Sequence, residues 1–496
     1  MARKIDSLQE TIQKQKDAFY SEDDYETKKN HYLDAVVVWE AYEKENDFFA
    51  YKKEAVVLFN DLRKMAKALG YYEDAIKWCE KAIQQMREVV AMASNTKNKR
   101  ELSLWYDKLG EIYEENGELY VAREWYQKEL KALKELDRTK STDESKRDLV
   151  ISYNNLGNVA VQLGDLSEAR KWYEKGLELA KGLSKEGNRD LEICYFKLGN
   201  VEEYDERLKK AKGLYAKAME IAINLYEESK TVETMHDLSV GCDYLGNVEE
   251  KLGDYEEAKN WHQKGLKIAE ELVKITSSVE HQRDVALSYN KLGHLEELLE
   301  NDNEAITWYE RAVGVLEGLP QDIKDIQRDL SVVYDHLGDM ADKMDRLNEA
   351  SYWYEKALVI AEELIHDSVN SRRDLFISYN HMGDLLAKLG QYKEAGIWYE
   401  KGLNIAEDLL KETDTLQAKE DLCISYEYMG SVLEALNKLK YARRWYLKLV
   451  MLREELVNKD RSKVNKALLS EAYERLGKVT EAMGDSVEAK KWFDKC

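Results

Sequence analysis

The sequence predicts an all-α protein, a solenoid of stacked antiparallel helix pairs. Three observations lead there. An apolar residue followed by glycine recurs at Leu109-Gly110, Leu156-Gly157, Leu198-Gly199, Leu245-Gly246, Leu292-Gly293, Leu337-Gly338, Met382-Gly383, Met429-Gly430 and Leu476-Gly477, at intervals of 42–47 residues. A fixed period of that size marks a repeat architecture. Of the 11 tryptophans, nine share one repeat position: Trp78, Trp125, Trp172, Trp261, Trp308, Trp353, Trp398, Trp445 and Trp492. Finally, the chain has a single proline, Pro320, and 35% charged residues, a helix-favouring mixture with almost no turn vocabulary for a sheet.

Residues 1–52 hold a degenerate piece in which Tyr32, Ala35 and Trp39 echo a second-helix spacing, so an N-terminal helical cap is expected there. Residues 53–496 divide into ten units, the last incomplete. Residues 147–187 show the plan. Leu149, Tyr153, Leu156 and Ala160 step by three or four and share one helical face. Gly164-Asp165 breaks the run and opens a second helix whose face is Ala169, Tyr173, Gly176 and Leu177. Neither helix can bury its apolar face alone, so the units must stack. Gly157 sits inside the first helix, where glycine costs about 1 kcal/mol relative to alanine. It is expected to let the second helix approach closely with a large ring. The tryptophan three residues after the alanine, worth a few kcal/mol when buried, is expected to offset the cost.

These residues resemble the tetratricopeptide repeat. Its pattern of aromatic, Leu-Gly, aromatic, alanine and aromatic is met by Tyr106, Leu109-Gly110, Tyr113, Ala122 and Tyr126. It is met again by Tyr379, Met382-Gly383, Leu386, Ala395 and Tyr399. The closing proline is missing, and the units exceed the common length of about 34 residues, as in the longer repeats of kinesin light chains and related adaptors. The expected architecture is one right-handed α-solenoid (superhelix) of about twenty-two helices. The resemblance implies that first helices line its concave side.

An Arg-acidic-apolar triplet stands six residues before each core tyrosine: Arg100-Glu101-Leu102, Arg147-Asp148-Leu149, Arg189-Asp190-Leu191, Arg283-Asp284-Val285, Arg328-Asp329-Leu330 and Arg373-Asp374-Leu375. The apolar member is core, and the acid favours the helix dipole. Arg147, Asn154 and Asn158 share one stripe of the first helix. If first helices face the groove, Arg147, Asn154, Asn158, Arg189, Asn200, Asn247, Arg283, Asn290, His294, Arg328, Arg373 and Asn380 are the candidate peptide-binding residues. Asparagine both gives and accepts hydrogen bonds, which suits an extended backbone. The arginines either meet the ligand or pair with acids of the neighbouring unit. An aliphatic row, Leu104, Ile151, Ile193, Val240, Leu287, Val332, Ile377 and Ile424, is either interface core or the floor of a ligand groove. Asp335, Asp339 and Asp342 read as a solvated acidic face.

The remaining inferences are mostly exclusions. Net charge is −22, against nucleic acid and anionic membrane as partners. No apolar run approaches a membrane span, and residues 1–16 lack a signal-peptide core. Cys79, Cys194, Cys242, Cys423 and Cys496 form no CxxC pair, as expected of a reduced cytoplasmic protein. No catalytic or nucleotide motif appears, and no enzyme activity, metal or cofactor is expected. His262 occupies a packing position. The expected function is a protein–protein interaction scaffold or adaptor holding an extended peptide or protein segment in its groove. The alternative is a regulatory or sensor subunit that docks and controls a separate effector such as a caspase-like protease. Units elsewhere continue ten or more residues past the point where the last stops. A patch at Leu476, Trp492 and Phe493 is therefore expected to be open, with self-association or partner docking through that end.

Overall fold

The computed structural model describes residues 2–22, 25–45, 52–184, 187–366, 368–459 and 462–496, and among them there are 22 α-helices and no strand. The chain forms two compact units, Met1–Asp254 and Tyr255–Cys496. The first contains α1 Ala2–Ser21, α2 Tyr25–Glu45, α3 Lys52–Ala68, α4 Tyr72–Met92, α5 Thr96–Glu115, α6 Leu119–Thr139, α7 Asp143–Gln162, α8 Leu166–Ala180, α9 Asn188–Tyr204, α10 Leu208–Ser229 and α11 Val232–Leu252. The second contains α12 Tyr255–Thr276, α13 Val279–Leu298, α14 Asp302–Leu316, α15 Lys324–Lys343, α16 Leu347–Glu363, α17 Val369–Lys388, α18 Tyr392–Thr413, α19 Leu416–Ala435, α20 Leu439–Lys459, α21 Lys463–Ala482 and α22 Ser486–Phe493. Within each unit the odd-numbered first helix packs on the even-numbered second helix of its pair, and each pair packs on the next. This is an all-α solenoid arrangement.

Local chemistry sets the boundaries. Many first helices open on a side-chain cap: Asn95, Thr142, Thr231, Ser278, Ser368, Thr415 and Ser462 each accept the backbone N–H three residues on. The turn inside a pair needs one left-handed residue after the first helix, which glycine supplies at Gly164 (φ +77°). Asn437 takes the same conformation at φ +56°. Tyr32, Ala35 and Trp39 are fully buried on α2.

The recurrent glycine of the first helices α5, α7, α9, α13, α15, α17, α19 and α21 makes room for a ring, but not the indole. A Cβ at Gly293 would lie 2.6 Å from Cε1 of Tyr309, and one at Gly157 would overlap the ring of Tyr173. The same holds for Gly110 and Tyr126, Gly338 and Tyr354, Gly383 and Tyr399, and Gly477 and Phe493. Tyrosine follows tryptophan by one position, a turn of about 100° that takes it from the flank of the helix into the pair interface. Apart from Trp78, which is fully buried against Phe59, the repeat-position tryptophans lie at the flank. Trp172, Trp308 and Trp398 are half-buried and lie over the first-helix tyrosines Tyr153, Tyr289 and Tyr379, with centroids 5.9, 5.6 and 5.6 Å apart. Their outer faces carry Lys175 at 4.2 Å, Arg311 at 4.7 Å and Lys401 at 4.0 Å.

At the last pair the expected open patch is not found as such. Leu476 is fully buried with Tyr446, Leu449 and Val450, while Trp492 stacks on Tyr473 at 6.1 Å beneath Lys495. The cysteines are free, and only Cys496 is exposed. No described helix is long and apolar enough to cross a membrane.

Candidate binding face on the first helices

The triplet arginines find their partners one repeat away. Arg147 Nε lies 2.9 Å from Asp190, and Arg189 reaches Asp237 at 3.4 Å and also binds Glu233. Arg100 holds Asp148 at 2.5 Å. In the second unit Arg283 pairs with Asp329 at 2.5 Å, Arg328 with Asp374 at 2.6 Å and Arg373 with Asp421 at 2.9 Å. The arginine of one triplet therefore takes the acid at the triplet position of the next first helix, and a ladder of ion pairs ties successive helices. Asp421 is almost fully buried while the arginines stay partly exposed. Exposed pairs of this kind contribute about 0.2–1 kcal/mol. A double-mutant cycle on Arg147 and Asp190 is expected to give a coupling in that range, weakening with salt; chemical denaturation checks it.

The asparagines divide into two groups. Asn154 and Asn380 are buried, contrary to the groove exposure expected of them. The reason lies on the second helix, where Gly176 and Gly402 leave space: Cβ atoms there would come 3.4 Å from Asn154 Oδ1 and 2.9 Å from Asn380 Oδ1. Asn158, one residue past the helix glycine, accepts the Tyr173 hydroxyl at 2.8 Å, and Asn200 at the same position lies 2.7 Å from the Tyr215 hydroxyl, whose one proton it shares with Glu203 at 2.5 Å. Their Nδ2 donors have no partner among the described residues. Asn247 and Asn290 are half-buried on α11 and α13, and Asn290 Oδ1 has no partner among the described residues. His294 is half-buried, with its ring 6.2 Å from His336.

The aliphatic row is exposed at four of its eight positions, while Val240, Leu287, Val332 and Ile377 are half-buried, with Ile377 packed against the cluster around Phe376. Leu104, Ile151 and Ile193 are 39, 47 and 37% exposed on α5, α7 and α9, and Ile424 is exposed on α19. Beside it lies a cavity of about 610 Å³ lined by Asp107, Glu111, Glu114, Ile151, Asn155 and Asn158, among others.

A further column, one residue before the recurrent leucine, escaped the sequence reading. Tyr244 stacks on Tyr215, His336 on Tyr309, His381 on Tyr354 and Tyr428 on Tyr399, with centroids 5.0, 5.0, 4.7 and 4.6 Å apart. The signal was there: this column holds only lysine, asparagine, tyrosine, histidine and arginine, side chains that can lie over a ring. His381 also sits between Asp335, 3.2 Å from Nδ1, and Asp339, 3.5 Å from Nε2. Burial alone would lower its pKa, but the two carboxylates outweigh burial and raise it to about 9. His336, buried and facing two other histidines, falls to about 4. Asp335 is thus buried rather than part of a solvated stripe.

Comparison with known proteins agrees with this geometry. The tetratricopeptide repeat family matches residues 100–182, 148–224, 242–282, 286–315 and 377–409. No curated protein matches the chain. Among solved structures, the apo quorum sensor NprR from B. thuringiensis aligns with 13% identity over 80% of this chain and 96% of its own, at TM-score 0.50. A signal-transduction ATPase with a tetratricopeptide repeat sensor, from Pyrococcus horikoshii, covers 90% of this chain and 71% of its own at 14% identity and TM-score 0.47. BtubC (BKLC) from P. vanneervenii covers 50% and 93% at 19% identity and TM-score 0.43. The glycine–ring packing that defines the matched pairs continues outside the matched residues, at Gly430–Tyr446 and Gly477–Phe493, and on the family matches and this shared packing the chain is a tetratricopeptide-repeat protein.

Proposed function

We propose that the chain is an interaction scaffold that holds an extended segment of a partner protein along the first-helix face of its first unit. The observation that carries this reading is the exposed aliphatic row Leu104, Ile151 and Ile193, one residue per repeat on successive first helices. Successive first helices lie close enough for the Arg147–Asp190 pair to span them, so an extended ligand, whose alternate side chains share one face, could set apolar groups against successive steps of the row. Asn158 and Asn200 stand nearby with Oδ1 against a tyrosine hydroxyl and Nδ2 left to donate to a peptide carbonyl. Arg147 and Arg189 flank the face, each already held by acids of the next repeat, and add orientation rather than a free charge.

The test is capture of partner segments from a random peptide library by the full chain and by the double variant Ile151→Glu, Ile193→Glu. Both side chains are partly in water, so helix content should not change. The wild type should enrich apolar segments, and the variant should lose them by about tenfold or more, as expected for burying a charge against apolar groups. Enrichment of the same segments by the variant would overturn the reading.

A further inference from the structure

The pair α3·α4 departs from the others. Where the neighbouring first helices have glycine, α3 has Arg63, and where their second helices have the ring-bearing tyrosine, α4 has Cys79. Both are buried; Arg63 is 6% exposed. Loss of the ring leaves room for a guanidinium, so the exchange is compensated in volume.

It is not compensated in charge. Arg63 Nε and Nη2 both donate to Asn60 Oδ1, at 3.4 and 3.2 Å, a neutral amide one turn back on the same helix. Lys108 of α5, half-buried over the face of Trp105, reaches the same oxygen at 3.5 Å. The carboxylates of this region are engaged elsewhere. Asp61 binds Lys16 at 2.9 Å, Glu111 and Glu115 bind Lys67 at 2.6 and 2.8 Å, and Asp107 accepts the Asn155 amide at 2.8 Å. Among the described residues no carboxylate pairs with Arg63 or Lys108. Burial, and then Arg63, push the pKa of Lys108 down. Other buried cations do not stand this way: Arg453 pairs with Glu420, and Lys419 with Glu455 at 2.9 Å. A buried charge without a counter-ion is costly, and here a buried guanidinium and a half-buried ammonium converge on one oxygen.

We propose that Arg63, Lys108 and Asn60 form a binding site for an oxyanion, a carboxylate or phosphate group seated between the guanidinium and the ammonium. The arginine fork offers the paired donors that such groups accept, in a setting sheltered from water. The site is independent of the aliphatic row, and it stands even if that face binds no peptide.

The full chain is titrated with inorganic phosphate and, separately, with acetate and succinate, against chloride at equal ionic strength. Calorimetric heat and thermal midpoint are both read. Saturable binding with a raised midpoint is expected for at least one anion. Phosphate alone identifies a phosphate site; acetate or succinate identifies a carboxylate site. Lys108→Gln should weaken binding by about tenfold or more. The double variant Arg63→Gly, Cys79→Tyr restores the packing of the other pairs, so it should keep the helix content and lose binding. Should that variant fail to fold, Lys108→Gln decides alone. Absence of saturable binding by every anion, or unchanged affinity in the variants that fold, overturns the proposal.

Discussion

Gly157→Leu and Gly293→Leu are each expected to destabilise the protein, on the order of 1–3 kcal/mol, read as a lower midpoint in urea. A Cβ alone at either position falls inside the ring of Tyr173 or Tyr309. The ring cannot swing away, because Tyr173 is held by its hydroxyl on Asn158 and Tyr309 by its own on Glu297 at 3.2 Å. The helix must then retreat from its partner and forfeit packing along the pair. The pair α3·α4 supplies the control. Because Arg63 is tolerated opposite Cys79, Gly157→Ala should be partly rescued by Tyr173→Cys, with the two changes non-additive. Equal midpoints for the wild type and both leucine variants would dismiss the ring as the reason for the glycine.

Glu129→Gln is expected to stabilise the protein relative to the wild type near pH 8 and to flatten the fall in stability between pH 5 and pH 8. Glu129 is buried on α6 at the position where α8 has Gly176, and its Oε2 has no hydrogen-bond partner among the described residues. Burial raises its pKa and the Asp107 carboxylate raises it further, together outweighing the Ser152 hydroxyl, which lowers it; Asp107 is itself raised, by burial and then Glu111. Groups whose pKa rises on folding contribute stability that is fully present below the unfolded value, about 4 for carboxyls, and lost as pH climbs through the folded value. This pair therefore favours the folded state at pH 5 over pH 8, the reverse of an ordinary salt-bridged acid. Urea midpoints at several pH values for wild type and Glu129→Gln check it. A variant less stable than the wild type at pH 8 would refute the assignment.

The repeat and its helix pairs were legible because period, glycine and tryptophan are properties of single columns. What escaped depends on pairs of columns. Tyr173 and Trp172 are neighbours with nearly equal apolar weight, and only the crossing of α7 and α8 decides which ring enters the notch. Asn154 and Asn380 read as surface residues until the opposing Gly176 and Gly402 are seen to admit them. The partner of Arg147 is Asp190, and that choice needs the register between successive first helices. Of the two readings open for the aliphatic row, exposure at Leu104, Ile151 and Ile193 selects the surface one at those positions. Arg63 and Cys79 each break their columns visibly, but that the two breaks face each other across one pair emerges only once helices are paired.

The indoles at the flanks give the array a built-in set of local reporters. Trp172, Trp308 and Trp398 share one environment, a tyrosine of the first helix and a cation of their own helix, and any opening of a pair parts the indole from the tyrosine while the cation stays with it. α10 has Leu214 at that position, so its pair is dark. With the other tryptophans replaced by phenylalanine, each remaining indole would time the unzipping of its own repeat. Emission recorded repeat by repeat would then distinguish melting that spreads inward from an end from rupture that starts in the middle.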